Sequence, residues 1–181
     1  MLKSVAVLAA VLTFALPCVA DEESQAPATA ATPFALPAPT TVKIAIKGAG
    51  TFGGDLEMAT RVYQPAGPPP FPVVLFSHGR AGDQATRAKL VRPVSNEQLR
   101  YWLGLGFAVV APIRPGYGET GGRDVEFSHA HLEGPGACPR HPNYTPTAAA
   151  GVRATTAALD WIAQQAWANA GRVILVGQSV G

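Results

Sequence analysis

The stretch Arg172-Val173-Ile174-Leu175-Val176-Gly177-Gln178-Ser179-Val180-Gly181 decides how the rest of the sequence is read. Arg172 to Val176 is a short continuous apolar run without the alternation of a half-exposed strand, so it predicts a third strand buried on both faces. The pentad after it fits G-x-S-x-G. Where a strand turns sharply into a helix, a serine at the apex is held in a strained backbone conformation, and strand and helix come too close for flanking side chains. Gly177 and Gly181 meet that steric demand, with Gln178 and Val180 filling the variable positions. Ser179 is therefore the candidate nucleophile; the bland alternative is an ordinary serine at a glycine-rich strand end.

A nucleophilic serine also needs hydrogen-bond donors for the developing oxyanion, one from the amide after it and one from an earlier loop. The first would be the Val180 N–H. The second is expected after Pro72-Val73-Val74-Leu75-Phe76, another continuous apolar run, which ends in Ser77-His78-Gly79-Arg80. There the Arg80 N–H is the candidate donor, with His78 and Gly79 shaping the turn.

Between these two loops, Ser95-Asn96-Glu97-Gln98 has the form of a helix capping box, followed by Leu99, Trp102 and Leu103 at helical spacing and closed by Gly104 and Gly106. Phe107 to Ala111 is a further buried strand, running into the loop chemistry of Pro112 to Gly122. A longer helix is expected from about Thr145-Pro146, with Val152, Thr155, Leu159, Ile162 and Ala166 on its apolar stripe and Gly171 as its stop. Nearer the N-terminus, Thr41 to Lys47 and Leu56 to Tyr63 alternate with the period of half-buried strands. Gly48-Ala49-Gly50-Thr51-Phe52-Gly53 between them fits the dinucleotide fingerprint G-x-G-x-x-G. That fingerprint needs a helix to open at its third glycine, and a second strand period follows instead, so a hairpin turn is the expected reading. Two hairpin strands and then strand, helix, strand, helix, strand predict an α/β fold with a mainly parallel sheet.

With these loops in this order, the sequence from Thr41 to Gly181 resembles the α/β-hydrolase superfamily, in particular its dienelactone-hydrolase-like and dipeptidyl-aminopeptidase-like exported branch. The resemblance rests on Tyr63-Gln64-Pro65-Ala66-Gly67, Phe71 to Gly79, Gly106 to Pro112 with Arg114 and Gly116-Tyr117-Gly118, Ala158-Leu159-Asp160-Trp161, and Arg172 to Gly181. It implies serine hydrolysis of a carboxylic ester or related acyl bond through an acyl-enzyme, without a cofactor. The nucleophile position holds Ser179, so the cysteine variant of the dienelactone branch does not apply. In this superfamily the order is nucleophile, acid, histidine, whereas His78, His129, His131 and His141 all precede the serine. The resemblance therefore implies the N-terminal part of such a domain, with acid and histidine expected after residue 181 and residues 1–181 alone expected to lack turnover. Peptide hydrolysis on the same fold, or a non-catalytic binding module on this scaffold, are the alternatives.

Composition narrows the partners. The chain has 181 residues, 48% hydrophobic and 14% charged, enough for one domain with a core. A net charge of +2 without a basic run argues against nucleic acid. Residues 1–20 read as a signal peptide: Lys3, an apolar run from Val5 to Leu16, the breaker Pro17, then small residues before Asp21. A buried N-terminal helix or a lipoprotein anchor on Cys18 fits less well, since the run is short and Pro17 directly precedes the cysteine. An exported, periplasmic or secreted protein with no membrane contact after signal removal is expected, acting on a small-molecule ester or acylated substrate. Residues 21–40, rich in Ala, Pro and Thr, are expected to be a disordered linker before a domain at 41–181. His129, His131, Cys138 and His141 have ligand types at zinc spacing, but no acidic partner completes a signature, and solvated loop histidines are expected rather than a metal. Cys138 is alternatively a disulfide partner in an exported protein.

Overall fold

A computed structural model describes residues 35–124 and 144–181. The expected signal peptide, the linker up to residue 34 and the His129, His131, Cys138 and His141 group lie outside the described residues. Strand β1 (Thr40–Ile46) forms an antiparallel pair with β2 (Leu56–Tyr63). Strand β3 (Phe71–Ser77) follows, then the short helix α1 (Gln84–Ala88) and helix α2 (Asn96–Gly104). Strand β4 (Ala108–Pro112), helix α3 (Thr145–Ile162) and strand β5 (Ala168–Gly177) complete the order.

The strands make one five-stranded sheet in the order β1-β2-β4-β3-β5. Strand β2 runs antiparallel to both of its neighbours, while β4, β3 and β5 are parallel. A mixed sheet of five strands, with α3 on one face and α2 on the other, is an α/β fold as expected for Thr41 to Gly181.

The continuous apolar runs are explained by two cores. On one face Phe71, Val73 and Leu75 of β3 join Ala108 and Val110 of β4 beneath α3; on the other, Val74 and Phe76 join Val109 and Ala111 against Leu99 and Leu103 of α2. Consecutive side chains of a strand point to opposite faces, so a strand covered on both must be apolar at every position. Strand β1 keeps its alternation, with Ile44 and Ile46 buried and Lys43, Ala45 and Lys47 exposed. The Gly48–Gly53 segment is a hairpin connection containing a single 3-10 turn, and strand β2 rather than a helix follows it. Leu36, inside the stretch expected to be linker, is partly buried against the α2-side core.

The capping at Ser95 is present: its Oγ accepts the Gln98 N–H at 3.2 Å, while Gln98 Oε1 accepts the Trp102 indole N–H. Helix α1 was not legible as an element. Its N-cap is Asp83, which accepts the Thr86 N–H at 2.8 Å, and that bond holds the carboxyl below its ordinary pKa.

Three expectations need correction. The buried face of α3 is Thr147, Ala150, Ala154, Ala158 and Ile162, whereas Val152 is 64% exposed. The helix lies on a sheet surface already filled by valines and leucines, and small side chains at four-residue spacing let it settle there. Gly171 does not stop α3. The helix ends at Ile162, and Gly171 lies inside β5, which starts at Ala168. Finally, β5 is not buried on both faces: it pairs with β3 on one side only among the described residues, leaving Ile174 40% and Leu175 58% exposed. Its apolar sequence suits a covered strand, and its position here is an edge.

Candidate active site

The parallel order puts the ends of β3, β4 and β5 at one edge of the sheet, and the chain leaves all three there in tight turns. Ser179 follows β5 with φ of +58°, the left-handed region that non-glycine residues seldom take. The turn is tied to the end of β3 by Gln178 N–H donating to Ser77 O at 3.0 Å, and closed by Gly181 N–H donating to Gln178 O at 2.9 Å. A Cβ on Gly177 would fall inside the radius of Gly181 O, and one on Gly181 would run into Ser77 O and His78 O. Both pentad glycines are therefore required by main-chain contact. A Cβ on Gly79 would stand 3.3 Å from Ser179 Cβ and 3.3 Å from Gln178 O. The turn after β3 and the serine loop thus lie directly against each other, and Arg80 and Val180 each follow a residue of that contact.

His78 is buried, and its ring is occupied. Nε2 accepts the Arg114 N–H at 3.1 Å and Nδ1 lies 2.8 Å from Gly79 O, so the neutral tautomer with the proton on Nδ1 satisfies both. The Tyr117 ring packs edge-on against it with centroids 4.6 Å apart. A histidine used in this way orders the turn and is a poor proton acceptor for Ser179.

Two charged residues from other loops hold the same turn, and sequence reasoning gave neither a role in it. Arg114, directly after the β4 segment, is buried; it donates to Ser77 Oγ at 2.8 Å and to His78 O, and its guanidinium lies 5.7 Å from the Tyr117 ring centroid. An arginine right after an apolar strand was the available signal, since a charge at that place must find acceptors nearby. Asp124 takes both Arg80 nitrogens, at 2.9 and 2.7 Å, and Arg87 at 3.3 Å. Arg87 also donates to Ala81 O and Gly82 O, so the whole segment from Gly79 to Gly82 is pinned. Nothing in the sequence near Asp124 announces this, because the partners are 44 positions apart.

Two cavities differ in their relation to these residues. The larger, about 530 Å³, lies between β1 and α3 and is lined by Lys43, Val152 and Trp161, with no residue of the serine loop. The smaller, about 280 Å³, is lined by His78, Gly79 and Gln178, and the last two adjoin Ser179. The smaller cavity is the one that shares residues with the serine loop. Among the described residues no cluster of three or more His, Cys, Asp or Glu side chains is placed to hold a metal ion, and no helix is long and apolar enough to cross a membrane.

No protein-family model matches the chain, and no curated protein matches it. Solved structures do. The chain is similar to a 2,6-dihydroxy-pseudo-oxynicotine hydrolase, at 18% identity and TM-score 0.44 over 80% of this chain and 31% of that one. It is similar to an acetyl xylan esterase from Paenibacillus sp. R4, at 18% identity and TM-score 0.46 over 81% and 43%. A dienelactone hydrolase-like promiscuous phosphotriesterase from metagenomic libraries matches at 20% identity and TM-score 0.41 over 78% and 49%. The chain thus spans less than half the length of each of these structures.

Proposed function

We propose that this chain carries the nucleophile and the oxyanion loop of a serine hydrolase that cleaves a carboxylic ester or related acyl bond. The observation that supports this reading is the left-handed Ser179 between Gly177 and Gly181, set so close to the Gly79 turn that a Cβ on Gly79 would stand 3.3 Å from Ser179 Cβ. In the proposed reaction Ser179 Oγ attacks the scissile carbonyl carbon, its proton passes to a histidine outside the described residues, and the carbonyl oxygen becomes an oxyanion. The Arg80 and Val180 amides donate to that oxyanion. Collapse expels the alcohol, reprotonated by the same histidine, and leaves an acyl group on Ser179 that water then removes by the same steps.

Pinning of the turn by Arg114 and Asp124 fits this scheme. Oxyanion donors act by being in place before charge develops, and one such donor is worth about 10²–10³ in rate. A fluorophosphonate probe applied to the full-length protein should label Ser179, and labelling that survives in Ser179→Ala would defeat the assignment.

A further inference from the structure

The cavity of about 280 Å³ beside the serine has a composition that selects what can enter it. Its walls include Ala81, Leu90, Pro93, Val94 and Tyr117, contributed by the turn after β3, the segment between α1 and α2, and the loop after β4. Val94 and Tyr117 are almost wholly buried, so these walls are fixed parts of the core rather than movable rim. The charged residue among the lining is Arg92, which is exposed and donates to Asn96 Oδ1 at 3.3 Å, at the solvent side. His78 presents a ring whose two nitrogens are already occupied. A charged group pushed into this space would shed its water and, among the described residues, meet no charged side chain in the inner lining, whereas a hydrocarbon group gives up no hydration of a charge. Gly79 and Gln178, which meet at Ser179, both form part of the cavity, so a group held there is attached close to the reacting carbonyl.

Resting on the serine-hydrolase reading above, we propose that this cavity is the subsite for a small, uncharged, apolar group of the ester, of about butyryl or benzoyl size. Pockets for small ligands begin at about 300 Å³, so a group much longer than this does not fit. The group belongs to the acyl or to the alcohol side of the ester, and two substrate series separate these sources. The acyl arm uses p-nitrophenyl acetate, butyrate, hemisuccinate and decanoate; the alcohol arm uses methyl, butyl and benzyl acetates. All are assayed with the full-length protein.

In one arm kcat/KM should rise about a hundredfold or more from the one- or two-carbon group to the four-carbon one, since two or three methylenes are added and each, when well placed, is worth roughly tenfold. Butyrate should exceed hemisuccinate, and decanoate should fall back, if the acyl side is held. Leu90→Trp, filling the cavity, should remove the preference for the larger group. Leu90→Ala should move the preference to longer groups, which covers the case in which the tryptophan variant fails to fold. Fluorophosphonate labelling of Ser179 is read in every variant. Labelling intact with chain-length preference unmoved by both substitutions, or hemisuccinate turned over as fast as butyrate in a chain-length-dependent acyl arm, overturns the subsite alone. A wild-type protein that turns over no ester and shows no Ser179-dependent labelling overturns both readings.

Discussion

Replacing Asp124 by asparagine should unpin the turn that faces Ser179. The carboxylate accepts two bonds from Arg80 and a longer one from Arg87, and the three side chains are 16%, 20% and 9% exposed. Removing one partner of a fully buried pair costs about 3–5 kcal/mol. A solvent-exposed pair is worth about 1 kcal/mol or less. These side chains are mostly but not wholly covered, and an asparagine oxygen keeps one acceptor, so about 2 kcal/mol is expected. The loss is sharpened by Arg87, whose Nε is buried with no partner among the described residues and which would then hold a less well compensated charge. The assay is a double-mutant cycle with Asp124→Asn, Arg80→Met and the pair of substitutions, read as urea midpoints at pH 7. A coupling energy of about 1–2 kcal/mol is expected, and it should persist in 1 M salt because a covered pair is little screened. Coupling below about 0.3 kcal/mol, or coupling abolished by salt, would refute the argument that these groups act as one buried clamp. The same variants should slow fluorophosphonate labelling of Ser179.

Ala158→Leu should cost about 1–3 kcal/mol, because Ala158 is fully buried between α3 and the sheet and offers no room for added methylenes; Val152→Ala, on the exposed side of the same helix, should stay within about 0.5 kcal/mol, and the two are compared by thermal melting. Acid should weaken the fold through Asp55 and Asp83. The first is held below its ordinary pKa of 3.8 by the bond from the Lys47 ammonium and then by the Gly48 N–H, the second by the Thr86 N–H. Groups depressed on folding contribute fully above their unfolded pKa and lose that contribution as pH falls through the folded value. The urea midpoint of an Asp55→Asn, Asp83→Asn variant should therefore fall less steeply below about pH 4 than that of the parent, and equal slopes would contradict this.

The parts of the fold that could be read in advance are those whose cause is local. Alternation in β1 and continuous apolar runs in β3 and β4 report directly how many faces are covered, and Ser95 announces α2 because its cap satisfies a nearby amide. The rest depends on neighbours distant in sequence. The exposure of Ile174 and Leu175 among the described residues depends on what lies beside β5, which the strand's own residues do not encode. The inward stripe of α3 is not the one its larger side chains mark, because the sheet beneath is already full and admits alanines while Val152 faces outward. Helix α1 is too short to show a period. At the candidate site, Ser179, Gly177, Gly181 and Gly79 could be picked out because their reason is steric. Asp124 and Arg87 could not, since the bonds that give them meaning cross between loops. Arg114 stood at a suggestive place but with no partner visible from sequence.

The contact between the serine loop and the β3 turn has a consequence for how this region can vary. Gly177 meets Gly181 O, and Gly181 meets Ser77 O and His78 O, so the geometry is written in main-chain atoms at places where side chains are missing. Any residue can supply a carbonyl or an amide, so the residues between the glycines are released from maintaining the loop's shape. Gln178, which lines the neighbouring cavity, can vary while the glycines stay fixed. A loop built this way separates the positioning of its serine from the chemistry of the cavity beside it, and the second can be rewritten without disturbing the first.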